Sequence, residues 1–348
     1  MKTAWRPILG LIISVVFLYV AFRGQDFGEI RAALRSVDYW YLIPALGLYF
    51  AGVLVRAVRW SILLRPAATI TARQVFPIVV IGYTANNVLP LRTGELVRSF
   101  VLGQRFGVRK TTALATIAIE RLFDGLTMLA FLLLATAFVS FTSELQHVAL
   151  LAVAVFAVIL IGLFVLTLGG SFRDRLLQLV LGPLPTSIAD RVERMAESFL
   201  SGLGVLRRRR DLALVAATSL LAWTLEAGMY WVIAIGFGGD LRDVMSFAAA
   251  LMTTGVANLA TLIPSSPGYV GPFETATILV VNGALGIPRA IALSYAIVVH
   301  AALWAPITIL GALIWARMQL SLARVRQDTT STREDPIDPD SAARPVAD

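Results

Sequence analysis

Between Asn86 and Glu95 the chain reads NNVLPLRTGE, a polar stretch set inside apolar sequence that begins at Val75 and resumes after Thr93. Lipid offers no partner for two asparagines, an arginine and a glutamate, nor for the backbone groups freed around a proline, so a plain apolar span is excluded here. At a rise of about 1.5 Å per residue, neither limb supplies the roughly 20 apolar residues that cross a bilayer. The pattern predicts a re-entrant hairpin. A second stretch, NLATLIPSSPGYVGPFE from Asn258 to Glu274, follows the same plan: an Asn, a Pro, a Gly-containing turn, and a Glu that opens another apolar segment.

Hydrophobic residues make up 57% of the 348, and the mean hydropathy is +0.77, far above that of a soluble domain. The chain is therefore expected to be an all-α polytopic membrane protein. Its formal charge of +8 comes almost wholly from arginines in loops, a pattern that points to membrane topology and not to nucleic acid. The absence of cysteine excludes disulfides and thiolate chemistry. His147 and His300 lie too far apart in sequence to suggest a metal centre, and no cofactor is expected.

Apolar segments predict six full spans, at 8–22, 39–55, 111–141, 148–168, 212–237 and 290–316, with hairpins over 75–106 and 244–285. Between 171 and 210, Ile188, Val192, Met195, Phe199 and Leu203 recur every three or four residues among charged ones, which describes a helix lying on the cytoplasmic surface. One membrane domain, 1–326, is expected to precede a disordered cytoplasmic tail, 327–348. Basic residues concentrate at Lys2 and Arg6, at Arg56 to Arg73, at Arg105 to Lys110, at Arg173 to Arg210 and after Arg317. All of these fall on one side if the hairpins enter from opposite faces, which puts both termini in the cytoplasm of a cell with an inner membrane.

A shift of 179 aligns Glu95 with Glu274, Gly107 with Gly286, Ala113 with Ala292 and Arg121 with His300; Asn86 matches Asn258 after a seven-residue insertion. Repeat A (39–141) and repeat B (211–317) thus have the same order in opposite orientation. Such inverted repeats place a transport site between the halves near the bilayer midplane.

Glu120, Arg121 and Asp124 lie roughly 15 Å into a predicted helix, where each ionised group costs about 2.5 to 3.5 kcal/mol. They are expected either to pair with one another or to wall a substrate cavity. Asn86, Asn87 and Asn258 have the chemistry of helix caps or of ligands. Arg92 and Arg98, which flank Glu95, are the leading candidates for bidentate contact with phosphate. Arg56 and Arg59 are expected near a helix end, where they either snorkel or bind substrate. Gly268 and Gly271 shape a turn, while Glu274 follows Pro272 at a helix start as a dipole partner or a titrating group. Glu226 and His300, each alone in an apolar span, are candidates for pairing with arginines of the other repeat or for proton coupling. No GxxxxGK[ST] loop occurs, so ATP hydrolysis within the chain is not expected.

The stretches RAVRW, NNVLPLRTGELVR, ERLFD and PGYVGPFE, in this order, resemble the membrane domain of lysylphosphatidylglycerol synthases over about residues 5 to 320. The resemblance implies a lipid flippase fold; in bifunctional members this domain translocates an aminoacylated phospholipid. It carries over onto Arg56, Arg59, Asn87, Pro90, Arg92, Gly94, Glu95, Arg98, Glu120, Arg121, Asp124, Pro267, Gly268, Gly271 and Glu274. Bifunctional members continue into a soluble aminoacyl-transferase domain, which this chain is expected to lack. The expected activity is translocation of an anionic phospholipid or a polyprenyl-phosphate-linked headgroup, and the chain is not expected to be an enzyme. Two alternatives stay open: an intramembrane enzyme acting on a lipid-linked phosphate, and an accessory subunit that docks on a lipid-synthesising enzyme.

Overall fold

The computed structural model describes residues 5–89, 93–135, 138, 154 and 209–318. The span expected at 148–168, nearly all of the surface segment at 171–210, the tail at 327–348 and the candidate Arg92 lie outside the described residues.

Among the described residues every regular element is helical. Helix α1 (Trp5–Phe22) bends by 84° into the short polar α2 (Phe27–Ser36), which starts where Asp26 accepts the Gly28 amide. A 3-10 turn (Tyr39–Tyr41) leads into α3 (Leu42–Leu64). Then come α4 (Ala72–Val88), α5 (Gly94–Phe106) and α6 (Lys110–Ala135). The second set is α7 (Arg209–Phe237), the short α8 (Gly239–Val244), α9 (Phe247–Ala260), α10 (Pro272–Ile278) running into a π turn (Leu279–Ala284), and α11 (Arg289–Arg317). Among the described residues three helices, Tyr39–Leu64, Arg210–Phe237 and Arg289–Arg317, are long and apolar enough to cross a membrane, and the bent α1–α2 pair makes a fourth if it is one span. The protein is a membrane protein, all-helical among the described residues.

One expectation is corrected. The second span runs on to Leu64 instead of ending at Val55, so Arg56 and Arg59 lie inside α3 and not at its end. They are 3% and 0% exposed, and neither snorkels. Helix formation continues through RAVRW because carboxylates from two other helices meet the guanidinium groups, as described below. The basic signal of the following loop rests on Arg65 and Arg73 alone.

Local sequence explains the helix ends. Thr71 caps α4 through Gln74, whose Oε1 accepts the Thr71 amide at 3.0 Å. Asn86 Oδ1 accepts the Gly94 amide at 2.7 Å, so the last turn of α4 caps the first turn of α5. Gly94 must be glycine: a Cβ there would lie 2.1 Å from the carbonyl oxygen of Gly82 on α4. Gly107 ends α5 at φ 66°, and Gly286 ends the π turn at φ 72°. These left-handed residues are 179 apart and terminate corresponding segments.

Helix α3 runs antiparallel to both α7 and α6. Arg65 at the end of α3 reaches Asp211 at the start of α7, at 2.9 Å, and Asp38 before α3 donates its amide to Gly236 near the end of α7, at 2.8 Å. Trp60 Nε1 donates to Thr116 Oγ1 at 3.0 Å, so α6 begins on the side where α3 ends. Arg289 at the start of α11 meets the Val20 carbonyl at the end of α1. Helices α3 and α7 form the central pair; α4 packs on α11, and α9 packs on α6. Within each set, α3 meets α4, α4 meets α5 and α5 meets α6, just as α7 meets α9, α9 meets α10 and α10 meets α11. Exchanging α3, α4, α5 and α6 for α7, α9, α10 and α11 leaves this packing pattern unchanged.

Candidate functional site

A cavity of about 120 Å3 opens between the two helix sets. The first set contributes Tyr49 and Arg56 of α3, Tyr83, Asn86 and Asn87 of α4, and Arg121 of α6. From the second come Trp223 and Glu226 of α7, Asn258 of α9 and Thr261 just after it, Gly268 and Tyr269 of the turn before α10, Phe273, and His300 and Trp304 of α11. The two polar interruptions of the sequence, around Asn86 and around Asn258, therefore wall one space. Their amides also build the scaffold: Asn87 Nδ2 donates to Thr308 Oγ1 at 2.8 Å, and Asn258 Nδ2 donates to the Thr254 carbonyl at 2.9 Å and to Glu226 Oε1 at 3.3 Å.

Arg56 Nη2 stands 2.6 Å from Glu226 Oε2, and its guanidinium stacks 4.4 Å from the Trp223 ring. This pair joins α3 to α7. The sequence placed Glu226 among candidates for pairing with an arginine of the other half, and that is its arrangement.

Behind the cavity wall the charges form one network. Arg59 Nη1 lies 2.6 Å from Asp124 Oδ1 and 2.8 Å from Ser219 Oγ, and its Nη2 lies 3.3 Å from Glu120 Oε1. Trp223 Nε1 donates to the same Asp124 oxygen at 2.7 Å. Arg98 grips Glu120 with both terminal nitrogens, at 3.1 and 2.9 Å, and stacks 4.0 Å from the Trp60 ring. Both donors of its fork are thus committed to a carboxylate, and the expectation that Arg98 meets phosphate gives way to a structural ion pair. Of the three intramembrane charges expected either to pair or to wall a cavity, Glu120 and Asp124 are in the buried network and Arg121 is in both.

Arg121 differs from its neighbours. Its nearest carboxylate oxygens are at 3.4 Å (Asp124), 3.5 Å (Glu120) and 3.8 Å (Glu95), and 35% of its side chain is exposed. It faces the cavity while being held loosely from behind.

The second helix set has a counterpart. His300 lies 179 residues after Arg121, and Glu274 lies 179 residues after Glu95. His300 Nδ1 is 2.5 Å from Glu274 Oε1, its Nε2 is 2.8 Å from the Gly268 carbonyl oxygen, and the Phe273 ring packs 4.5 Å away. Glu274 Oε2 accepts the Gly271 amide at 2.6 Å, which caps α10. Gly271 adopts φ 101°, and a Cβ there would lie 2.8 Å from the Ser14 carbonyl oxygen of α1, so the turn is pressed between α1 and α11.

Of the residues singled out in the sequence, Arg56, Asn86, Asn87, Arg121, Asn258, Gly268 and His300 line the cavity. Arg59, Glu95, Arg98, Glu120 and Asp124 stand in the ion network, Gly271 and Glu274 build the turn, and Arg92 lies outside the described residues. Sequence reasoning missed Tyr49, Tyr83 and Trp223 as lining residues, because an aromatic residue inside an apolar run gives the same signal whether it faces a cavity or a neighbouring helix.

The family described as the lysylphosphatidylglycerol synthase TM region matches residues 8–311. The chain is 25% identical over 353 residues to a protein named glycosyltransferase AglD, from Haloferax volcanii; the match covers 94% of the chain and 57% of that protein. It is 27% identical over 279 residues to a UPF0104 membrane protein of Methanothermobacter thermautotrophicus, covering 76% of the chain and 81% of that protein. With a UPF0104 membrane protein of Pyrococcus horikoshii it shares 23% identity over 335 residues, 90% of the chain and 96% of the relative. No solved structure matches the chain.

Proposed function

The chain belongs to the family of the lysylphosphatidylglycerol synthase TM region, and from that premise we propose that it translocates an anionic lipid headgroup across the membrane through the cavity between its two helix sets. The observation that carries this reading is Arg121. A permanently charged guanidinium faces a polar cavity at membrane depth, and its own carboxylate partners stand at 3.4 Å or more. A charge there is costly unless a partner reaches it, and a phosphate oxygen is a fitting one. Asn86, Asn87 and Asn258 add amides for the rest of the headgroup, and the apolar ring of helices suits the acyl or prenyl chains.

In the same reading the α4–α5 and α9–α10 pairs are re-entrant hairpins from opposite faces, and the two helix sets are inverted repeats. Support comes from helix direction: α3 ends on the side where α6 begins, so α4 and α5 return to the face they left. The packing pattern that survives exchange of the sets supports it too. The basic loop residues then put both termini in the cytoplasm, in an inner membrane with six spans. The chain works as a transporter and not as an enzyme, beside a lipid-synthesising enzyme that supplies its cargo. Similarity to a protein named a glycosyltransferase makes a lipid-linked sugar the first headgroup to compare with phosphatidylglycerol.

Reconstitution into vesicles with headgroup-labelled lipid tests this. Translocation above protein-free vesicles for at least one anionic lipid is the expected result, and background rates for every anionic phospholipid and polyprenyl-phosphate lipid offered would overturn the reading.

A further inference from the structure

We propose that His300 and Glu274 form a proton-carrying site, and that the protein moves one proton in the same direction as each negative charge of the headgroup. This rests on the transport reading above and adds its driving force. The acceptors that face the ring fix where its protons lie. A carbonyl oxygen only accepts, so Nε2, 2.8 Å from the oxygen of Gly268, carries a hydrogen. Nδ1 lies 2.5 Å from Glu274 Oε1, and two lone pairs do not meet at that distance, so a proton lies between them. The pair is an imidazolium with a carboxylate, or a neutral imidazole with a carboxylic acid. Both forms hold the same proton and the same net charge of zero.

Removing that proton sets the Nδ1 lone pair against an ionised oxygen, and the contact must open. The Glu274 side chain is fixed at its other oxygen by the Gly271 amide, and the turn is backed by Ser14, whose Oγ donates to Ser266 Oγ at 2.8 Å and accepts the Ser266 amide at 2.9 Å. The tie that yields is therefore the one between α11 and the turn before α10. Protonation closes this tie and deprotonation releases it, on the wall of the cavity itself.

The other helix set supplies the contrast. Arg121 occupies the equivalent position, backs onto Glu95 and keeps its charge at any working pH. One side of the cavity thus presents a fixed cation and the other a pair that is neutral when proton-loaded and anionic when it is not. A phosphodiester headgroup carries one negative charge; taken up together with one proton it adds no net charge to the low-dielectric site. The proton enters from water on one face and leaves to water on the other. The further ionisable groups sharing the cavity are Arg56 and Tyr49 of α3, Tyr83 of α4, Glu226 of α7 and Tyr269 of the turn. Arg56 and Glu226 neutralise each other at 2.6 Å. The charged residues of α2, Glu29, Arg31 and Arg35, belong to the helix that meets α11 nearer its start, where Ser294 bonds to the Ile30 carbonyl.

The test uses the full chain in vesicles containing phosphatidylglycerol, with a pH-sensitive dye inside. An imposed pH difference is expected to enrich phosphatidylglycerol in the leaflet facing the alkaline side, by up to about tenfold per pH unit at a ratio of one to one, with proton entry reported by the dye. A potassium-diffusion potential without a pH difference is expected to cause no enrichment. His300→Gln and Glu274→Gln, each checked for an unchanged elution profile, are expected to abolish enrichment. Enrichment driven by potential, enrichment independent of pH, or full enrichment in H300Q would overturn the proposal. Nitrogen-15 NMR of histidine-labelled protein separates this from the transport reading: a bare Nδ1 on His300 at neutral pH overturns the proton site even where lipid moves. Background translocation with a protonated Nδ1 overturns the transport reading instead.

Discussion

Arg56 and Glu226, one on each central helix, meet at 2.6 Å and are 3% and 5% exposed. Burying two charges gives little net stability, but removing one strands the other, at about 3 to 5 kcal/mol. Glu226→Met is therefore expected to lower the melting temperature of the purified protein sharply, as is R56M alone, and R56M combined with E226M to recover much of the loss. A double-mutant cycle on thermal unfolding in detergent reads the coupling, and simple additivity would contradict it.

Arg98 gives a prediction that separates it from Arg121. Because both terminal nitrogens of Arg98 hold Glu120, Arg98→Ala is expected to destabilise the fold by about 3 kcal/mol or more and to leave headgroup affinity in the surviving folded fraction unchanged. Lipid binding by native mass spectrometry, set beside melting curves, checks both halves of that statement.

The opposite profile is expected for Arg121→Gln. Its partners are distant and it is one-third exposed, so the melting temperature should move little. Loss of one charge-assisted contact to phosphate, worth about 1.5 to 3 kcal/mol, is expected to weaken anionic lipid binding by about ten- to a hundredfold. Equal affinity in variant and parent would remove the main support for headgroup binding in the cavity.

Gly94→Ala tests the close approach of α4 and α5. The added methyl would fall 2.1 Å from the Gly82 carbonyl oxygen and 2.6 Å from Asn86 Oδ1. Both the close approach and the cap on α5 are expected to fail, with a loss of about 1 to 3 kcal/mol or more. Hydrogen exchange at the first amides of α5 should rise before exchange in α3 or α7 does.

Much of this arrangement was legible in the sequence. Apolar runs located the long helices, and a shift of 179 aligned Gly107 with Gly286, Glu95 with Glu274 and Arg121 with His300; that both glycines are left-handed and that each carboxylate meets the basic residue of its own helix set is shown only by the structure. Polar residues inside apolar sequence marked the cavity walls. The end of α3 was misread because arginines stop a hydropathy run whether they face headgroups or a buried carboxylate. Only the partners decide, and Asp124 and Glu226 lie 65 and 170 residues away in sequence. For the same reason Arg98 looked available: the residue that occupies it, Glu120, belongs to the next helix.

The carboxylate contacts of the two helix sets are alike in plan and unequal in length, 3.8 Å at Glu95 and 2.5 Å at Glu274. Each set therefore serves as a template for its sibling. Threading one set's sequence through the other's backbone writes down a second shape of the same molecule, with Glu95 drawn against Arg121 and Glu274 parted from His300. On the proposed transport cycle that shape supplies two pairs of labelling positions, one across each contact, whose separations are expected to change in opposite senses.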